Sequence, residues 1–404
     1  MRHPTFAEAA GWWLKLGFVS FGGPAGQIAT MHREVVERRR WLSEARFQHA
    51  LAYCTVLPGP EAQQLATYIG WLLHGLPGGI VAGALFILPS LFLLVGLSWA
   101  YVDYGNVPAV AAAFRGVQPA IVAVVLLAAW RIARRSLRGW PARALALASL
   151  LACLGGVPFP AVVLGAFVLG TTGQFGHHVG AKVARGDDEA VIGDHTPVAF
   201  AARPVLVTAV ALVIGGGLAA FLVPDLREMA LFFTGLALLT FGGAYAVLPY
   251  LHDGAVDRGW AFSAQVMDGL ALGETTPGPL IMVVTFVGFL GGGVLGALVA
   301  TLYTFLPSFV FILAGAPLVE KARQVPKLAG PLAAVSAAVV GVIVHLGIRL
   351  GEHALWPGGT LDGAALVVSL LALVALVRFD VGIVSVIGVA AAVGWGRWLV
   401  VGRA

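Results

Sequence analysis

Residues 19–41 read VSFGGPAGQIATMHREVVERRRW and residues 57–71 read LPGPEAQQLATYIGW. Residues 239–260 read LTFGGAYAVLPYLHDGAVDRGW and residues 276–289 read TPGPLIMVVTFVGF. The second pair repeats the first. Phe21, Gly22 and Gly23 return as Phe241, Gly242 and Gly243, an offset of 220. Trp41 returns as Trp260, and Pro58, Gly59 and Pro60 return as Pro277, Gly278 and Pro279, both at 219. Pro89-Ser90 returns as Pro307-Ser308 at 218. Gly and Pro are frequent in this chain, but frequency alone does not keep four landmarks in order at near-constant spacing. The chain is an internal duplication.

Working outward, the duplicated units are apolar. Of 404 residues, 59% are hydrophobic and 11% charged. That is too few charges for a water-facing surface, since soluble domains carry about 25%. Apolar stretches of spanning length lie at 79–101, 108–130, 203–222, 291–316 and 329–350. A helix needs about 20 such residues to cross the hydrocarbon. The period-two alternation of a barrel is absent, so lipid leaves a helix bundle. The expected fold is an all-α polytopic membrane protein with two inverted-topology repeats and broken or re-entrant helical hairpins. The expected organisation is a first membrane repeat at 1–173, a polar cytoplasmic linker at 174–203 and a second membrane repeat at 204–404.

Loop charge sets the orientation. Residues 31–46 hold Arg33, Arg38, Arg39, Arg40 and Arg46, and residues 131–143 hold Arg131, Arg134, Arg135, Arg138 and Arg143. Both loops are expected inside. Two clear spans and the Pro-Gly-Pro segment lie between them, so that segment must dip in and return rather than cross. In the second half, the counterpart of the first basic loop carries Asp253, Asp257 and one Arg258, and reads as external. The counterpart of the turn at Asp103 carries Lys321, Arg323 and Lys327 against Glu320, and reads as cytoplasmic. Every compared loop changes side, the charge signature of an inverted repeat. Parallel repeats with a weak charge bias are the alternative.

Gly22, Gly23 and Pro24, then Pro58, Gly59 and Pro60, interrupt apolar segments in the first repeat. Gly242 and Gly243, then Pro277, Gly278 and Pro279, do so in the second. Matched interruptions of this kind point to a transporter's binding site, although one break alone reads as a packing kink. A helix beginning just after a break presents free amides and the positive end of its dipole, which suits an anion. Pro60 and Pro279 fit the first helical position. Gln27, Gln63, Gln64, Thr67 and Thr276 supply polar groups nearby, and Gln and Thr can donate to an oxyanion. Glu61 follows the first Pro-Gly-Pro and Glu274 precedes the second. An intramembrane carboxylate often marks an ion or proton pathway, and Glu61 equally suits its helix N-terminus. Arg115 lies within a long span and stays open as an anion-attracting charge, whereas Lys15 beside Trp12 and Trp13 reads as an interfacial anchor.

Other function classes find little support. The net charge of +5 sits in short loops rather than in a nucleic-acid-binding surface. No zinc-protease or Walker motif is present, so neither an enzyme nor an ATP-driven pump is expected, and no cofactor is expected. His177, His178, His195 and neighbouring carboxylates in the linker match no metal-ligand spacing, and a solvated linker is the simpler reading. A channel is harder to separate from a transporter. Gly- and Ala-rich helices would also allow a homodimer in the bilayer.

The FGGP string at 21–24, the basic loop ending in Trp41-Leu42-Ser43 and PGPEAQQLATYIGW at 58–71 resemble the chromate ion transporter family. The second FGG, Pro277-Gly278-Pro279 and the LPS triplets at 88–90 and 306–308 add to the resemblance, which covers nearly the whole chain. Ala244 stands where the first repeat has Pro24. The resemblance implies a bacterial inner-membrane exporter of chromate that confers resistance, driven by the proton or potential gradient. Sulfate is the natural competitor.

Overall fold

The computed structural model describes residues 2–21, 23–172, 175, 190–193, 224–241, 243–322 and 329–401. Most of the linker, the apolar stretch 203–222, Arg323, Lys327, Gly22 and Gly242 lie outside the described residues. The first repeat runs α1 (Phe6–Val19), α2 (Gly23–His32, continued by a π-helical turn Arg33–Arg38), α3 (Glu44–Val56), α4 (Glu61–Tyr104), α5 (Pro108–Ser136), α6 (Trp140–Leu154) and α7 (Phe159–Gly170). The second runs α8 (Pro224–Leu238), α9 (Leu248–Asp257), α10 (Ser263–Thr275), α11 (Val283–Ala322), α12 (Ala329–Leu355), α13 (Gly363–Arg378) and α14 (Ile383–Val401). Five of the helical stretches are long and apolar enough to cross a membrane: Glu61–Tyr104, Pro108–Ser136, Leu280–Pro317, Gly330–Leu355 and Ile383–Val400. The chain is a multi-pass membrane protein.

Helix α4 is two antiparallel arms, 61–73 and 76–104. They are joined at His74 and at Gly75, whose φ of 63° turns the chain back. Gly70 lies against Gly78 and Ala82, and Gly83 against Thr67, so the arms touch with almost no side chain between them. Helix α11 repeats this with a turn at Gly292 and Gly293 (φ 60°). There Gly288 lies on Gly296, and the hydroxyls of Thr285 and Thr301 bond at 2.7 Å. Small residues allow this approach where lipid offers no hydrophobic force between helices.

The Pro-Gly-Pro segments are tips of re-entrant hairpins. Arg46 near the start of α3 and Tyr68 on the return arm both reach Glu320, at 2.7 and 2.6 Å. A single broken span would separate those two residues by most of the membrane. In the second repeat Gly269 of α10 packs on Phe286 of the return arm, nearly equidistant from the tip. Helices α1 and α2 form another in-and-out pair, with Trp12 of α1 5.9 Å from Trp41 beyond α2. Phe232 and Trp260 stand in the same relation at 5.4 Å. Each repeat thus contributes two hairpins whose tips lie inside the protein.

Equivalent helices of the two repeats are antiparallel. Gly79 faces Leu313 and Gly83 faces Phe309 across the second arms of α4 and α11. Gly347 faces Leu126 and Gly351 faces Val122 across α12 and α5. The outer helices are exchanged: α6 packs on α12 through Ala146 and Gly341, while α13 packs on α5 in a cluster that holds Leu376 and Ala123. This two-fold relation is the inverted repeat. Helical backbone groups are satisfied internally, and interior hydroxyls such as Ser98 and Thr304 bond the carbonyl four residues back, as lipid requires. Large apolar side chains such as Phe92, Leu164 and Val389 face outward.

Candidate functional site

The four hairpin tips meet. Ser20 follows α1 and Thr240 follows α8, and they are equivalent positions of the repeat. The Gly278 N–H donates to the Ser20 carbonyl at 2.8 Å, and the Gly59 N–H donates to the Thr240 carbonyl at 2.8 Å. Each Pro-Gly-Pro is therefore completed by the other repeat's Gly-rich break, and the exchange obeys the same two-fold. Neither repeat can build the centre alone.

Glycine is required at both nodes. Gly59 has φ 127° and Gly278 φ 116°, where an L side chain is strained. A Cβ at Gly278 would lie 2.6 Å from Cβ of Ser90, and one at Gly59 would lie 2.6 Å from Nε2 of Gln64 and collide with Oγ of Ser308. The serines of the two LPS triplets thus abut the opposite repeat's glycine, which explains why Pro89-Ser90 recurs.

Pro60 is the N-cap of α4 rather than its first helical residue, because its extended backbone (φ −73°, ψ 101°) ends the break, and Glu61 opens the helix. Pro279 likewise precedes a 3₁₀ turn, Leu280–Met282, that leads into α11. Gly23 (φ 70°) opens α2 with Pro24 directly after it, and Gly243 (φ 103°) precedes a 3₁₀ turn, Ala244–Val247.

The glutamines are arranged differently from the expectation that they offer N–H groups to a ligand. Gln27 Nε2 donates to the Gly278 carbonyl at 2.6 Å, and Gln64 Nε2 donates to the Pro58 carbonyl at 2.7 Å. Gln63 Nε2 bonds Thr67 at 2.9 Å. These donors hold the breaks in shape because a broken backbone leaves carbonyls without helical partners. Thr276 donates to the Gly273 carbonyl at 3.3 Å. The remaining oxygens, Oε1 of Gln27, Gln63 and Gln64 and Oγ of Ser20 and Ser90, are buried with no partner in the protein.

Glu61 and Glu274 are both partly accessible beside the tips. Tyr245 donates its hydroxyl to Glu274. The charge of Arg135 acts on Glu61, and that of Arg131 on Glu274 and Tyr245. Sequence reasoning took these arginines as topology markers only. They lie four residues apart on one face of α5, and only the fold brings that face toward the carboxylates. Arg115 is exposed on α5, and the described contacts bring it to neither break; Lys15 is exposed on α1.

Two further clusters escaped the sequence. Arg46 pairs with Glu320 at 2.7 Å and donates to the Gly193 carbonyl at 3.1 Å. Asp268 on α10, buried, accepts from Tyr101 at 2.8 Å and Gln118 at 3.1 Å. Glu320 stands near the end of the second arm of α11 and Tyr101 near the end of the second arm of α4. Each cluster therefore fastens the first helix of a re-entrant hairpin to the other repeat's spanning arm. Their residue types differ between the repeats, so the pattern hides from self-comparison.

The chromate transporter family profile matches residues 7–171 and 227–395. The chain is 36% identical to a chromate transport protein of Pseudomonas aeruginosa over 343 residues, 84% of this chain and 80% of the relative. It is 32% identical to a probable chromate transport protein of Synechococcus elongatus over 358 residues, 87% of each. It is also 32% identical to the uncharacterized transporter YwrA of Bacillus subtilis over 124 residues, 30% of this chain but 70% of that relative, which is about the length of one repeat. No solved structure matches.

Proposed function

The chain belongs to the chromate transporter family, and on that premise we propose that it is a secondary transporter exporting chromate from the cytoplasm across a bacterial inner membrane. It is a transporter rather than an enzyme. The reading rests on one observation, the meeting of four broken-helix tips through the reciprocal bonds of Gly59 with Thr240 and Gly278 with Ser20. Residues 22–24, 58–60, 242–243 and 276–279 with Gln27, Gln63 and Gln64 form the substrate site in this reading. Helix starts after the tips stabilise an oxyanion without a buried lysine or arginine. Glu61 and Glu274 couple anion movement to protons, with Tyr245 orienting Glu274. Arg131 and Arg135 draw the anion from the cytoplasm, a role the open candidate Arg115 does not need to fill. Export of an anion is favoured by a negative-inside potential, and resistance to chromate follows from it.

Sulfate shares the tetrahedral shape and is the competing substrate. The test is chromate flux in proteoliposomes with sulfate as competitor, with and without an imposed pH gradient or potential. Saturable, gradient-dependent flux is expected; an ohmic conductance would instead identify a channel. Glu61→Gln and Glu274→Gln are each expected to flatten the pH dependence, and unchanged profiles in both would remove the coupling assignment.

A further inference from the structure

Two polar latches occupy corresponding places in the two repeats. In each, the first helix of a re-entrant hairpin is bonded to a second arm from the other repeat. The inner seam runs from Gly59 against Ser308 at the tip, through the Tyr53 hydroxyl on the Phe311 carbonyl at 3.2 Å, to Arg46 on Glu320. The outer seam runs from Gly278 against Ser90 to Asp268 bonded by Tyr101. Ser90 and Tyr101 stand eleven residues apart on α4, close to three turns, so they share one face. The Tyr101 ring fills the outer seam between Phe114 of α5 and Phe286 of α11, each 5.1 Å away. Helix α10 follows the loop that holds Asp257, and Tyr101 adjoins the turn at Asp103 that lacks lysine and arginine; both read as external. Each seam therefore lies between the tips and one face of the membrane.

The two latches answer a proton differently. Protonating Glu320 at the inner one would leave the charge of Arg46 without that partner, which is costly when buried. Asp268 is 4% exposed and is held by two neutral groups, the Tyr101 hydroxyl at 2.8 Å and Gln118 Nε2 at 3.1 Å. Among the described residues no cation pairs with it. Arg115 of α5 and Asp103 of α4 are exposed, and Arg397 of α14 pairs with Asp362. Helix α11 carries no charge before Glu320, and Glu274 stands six residues further along α10. His345, Arg349 and Glu352 of α12 gather around His252 and Asp253 of α9. Arg131 and Arg135 act from the other end of α5 on Glu274 and Glu61. A buried carboxylate in a membrane helix with only neutral partners marks a proton or ion pathway.

We propose that Asp268 is the proton-binding residue of the outer gate, titrating from the external side, and that its protonation loosens α10 from α4 and α5. This rests on the transport reading above and adds how its outer face is controlled. Ionised, the carboxylate only accepts, and both of its bonds are charge-assisted, about twice as strong as neutral ones. A proton taken from external water onto Oδ1 removes the charge and sets an O–H against the Gln118 N–H. The inner latch keeps its charges meanwhile, so external acid loosens one face only.

The test is sided cysteine labelling in proteoliposomes, on the full chain with Cys54 and Cys153 replaced by serine. Thr275 lies seven residues beyond Asp268, close to two turns and so on the same face of α10 toward the tip. Its hydroxyl bonds carbonyls of its own helix, so Thr275→Cys is a mild probe. Labelling by an impermeant thiol reagent added outside is read relative to Asp257→Cys at the same pH, which corrects for the reagent's own pH dependence. Lowering the external medium from about pH 8 to about pH 5 is expected to raise this ratio about tenfold, the worth of one hydrogen bond to a charged group. Lowering the internal pH alone is expected to leave it unchanged. Asp268→Asn cannot ionise and is expected to give the high ratio at both values. Tyr101→Phe keeps the ring contacts and removes one donor, so it is expected to raise the ratio in alkali and to keep the response to acid; it preserves the test if Asp268→Asn misfolds. A flat ratio in the unsubstituted latch, or the same acid response in a folded Asp268→Asn protein, would mean that Asp268 only braces the fold. That result would overturn the gate and leave chromate flux standing. A response to internal pH would overturn the external assignment. The expected labelling pattern without chromate flux would uphold the gate and remove the chromate reading.

Discussion

Gly59 and Gly278 show how much one missing methyl group decides. Both have positive φ and both touch the opposite repeat where a Cβ would stand. Gly75 also has positive φ, 63°, but a Cβ there meets nothing within 4 Å. The three glycines separate strain from crowding. Gly75→Ala is expected to cost about 1–3 kcal/mol of conformational strain, since φ 63° with ψ −152° favours glycine alone, and to leave flux largely intact. Gly278→Ala and Gly59→Ala add a clash on top of that strain, which overpacking raises by about 1–3 kcal/mol. Their chromate flux is expected to fall more than about tenfold, since displacing a reacting group by about 1 Å can cost a hundredfold. Thermal unfolding in detergent alongside flux checks both parts. A Gly278→Ala protein as active as Gly75→Ala would mean that the tips do not carry the substrate.

Single elements are held by polar clusters that differ in chemistry. The first hairpin is fastened by an ion pair whose members are little exposed, 7% for Arg46 and 13% for Glu320. Removing one partner strands a buried charge, which costs about 3–5 kcal/mol. Glu320→Gln is therefore expected to destabilise strongly. Asp268→Asn keeps an acceptor for Tyr101 or Gln118 and is expected to lose about 1 kcal/mol. Chemical denaturation in detergent should rank them in that order. The π-helical turn after α2 is expected to respond to pH. Burial pushes the Glu34 carboxyl up, but the ion pairs with Arg39 at 2.8 Å and Arg38 at 3.3 Å outweigh it and hold the carboxyl below its ordinary range. A depressed carboxyl contributes stability above its unfolded value and loses it as pH falls through the folded one. Hydrogen-exchange protection over residues 33–42, taken relative to the intrinsic amide rate at each pH, is expected to fall on acidification through the carboxylate range, and Glu34→Gln is expected to remove that dependence.

At the scale of the molecule, the inverted two-fold requires corresponding loops to lie on opposite faces of the membrane. In a chain whose Cys54 and Cys153 are replaced by serine, Arg33→Cys is expected to be labelled by a membrane-impermeant thiol reagent only from the cytoplasmic side. Asp257→Cys is expected to be labelled only from outside. Both positions are exposed. Labelling of both from one side would contradict the inversion. The two-fold also implies interdependence: because Gly59 bonds Thr240 and Gly278 bonds Ser20, a first repeat expressed without the second is expected to leave its centre unbuilt, with flux restored only when both halves are present.

Much of this was legible in the amino acids because the relevant signals are local or periodic. Apolar runs of spanning length, paired Gly and Pro interruptions and the side-switching of loop charge need no folded structure, since lipid and the membrane field act on them directly. They determined a duplicated, inverted helical membrane protein, its re-entrant hairpins and the position of its breaks. What they left open depends on which distant groups meet. The glutamine amides looked free until backbone carbonyls from the broken tips claimed their nitrogens. Arg131 and Arg135 read as topology markers in the sequence, and only the fold lets the charge of Arg135 act on Glu61 and that of Arg131 on Glu274. Ser20, Tyr245 and Asp268 carry no motif at all, and Ser90 lies in a repeated Pro-Ser whose partner the sequence does not name. Only tertiary structure assigns them, because a hydrogen bond depends on a few tenths of an ångström between residues that lie up to some 250 positions apart in the chain.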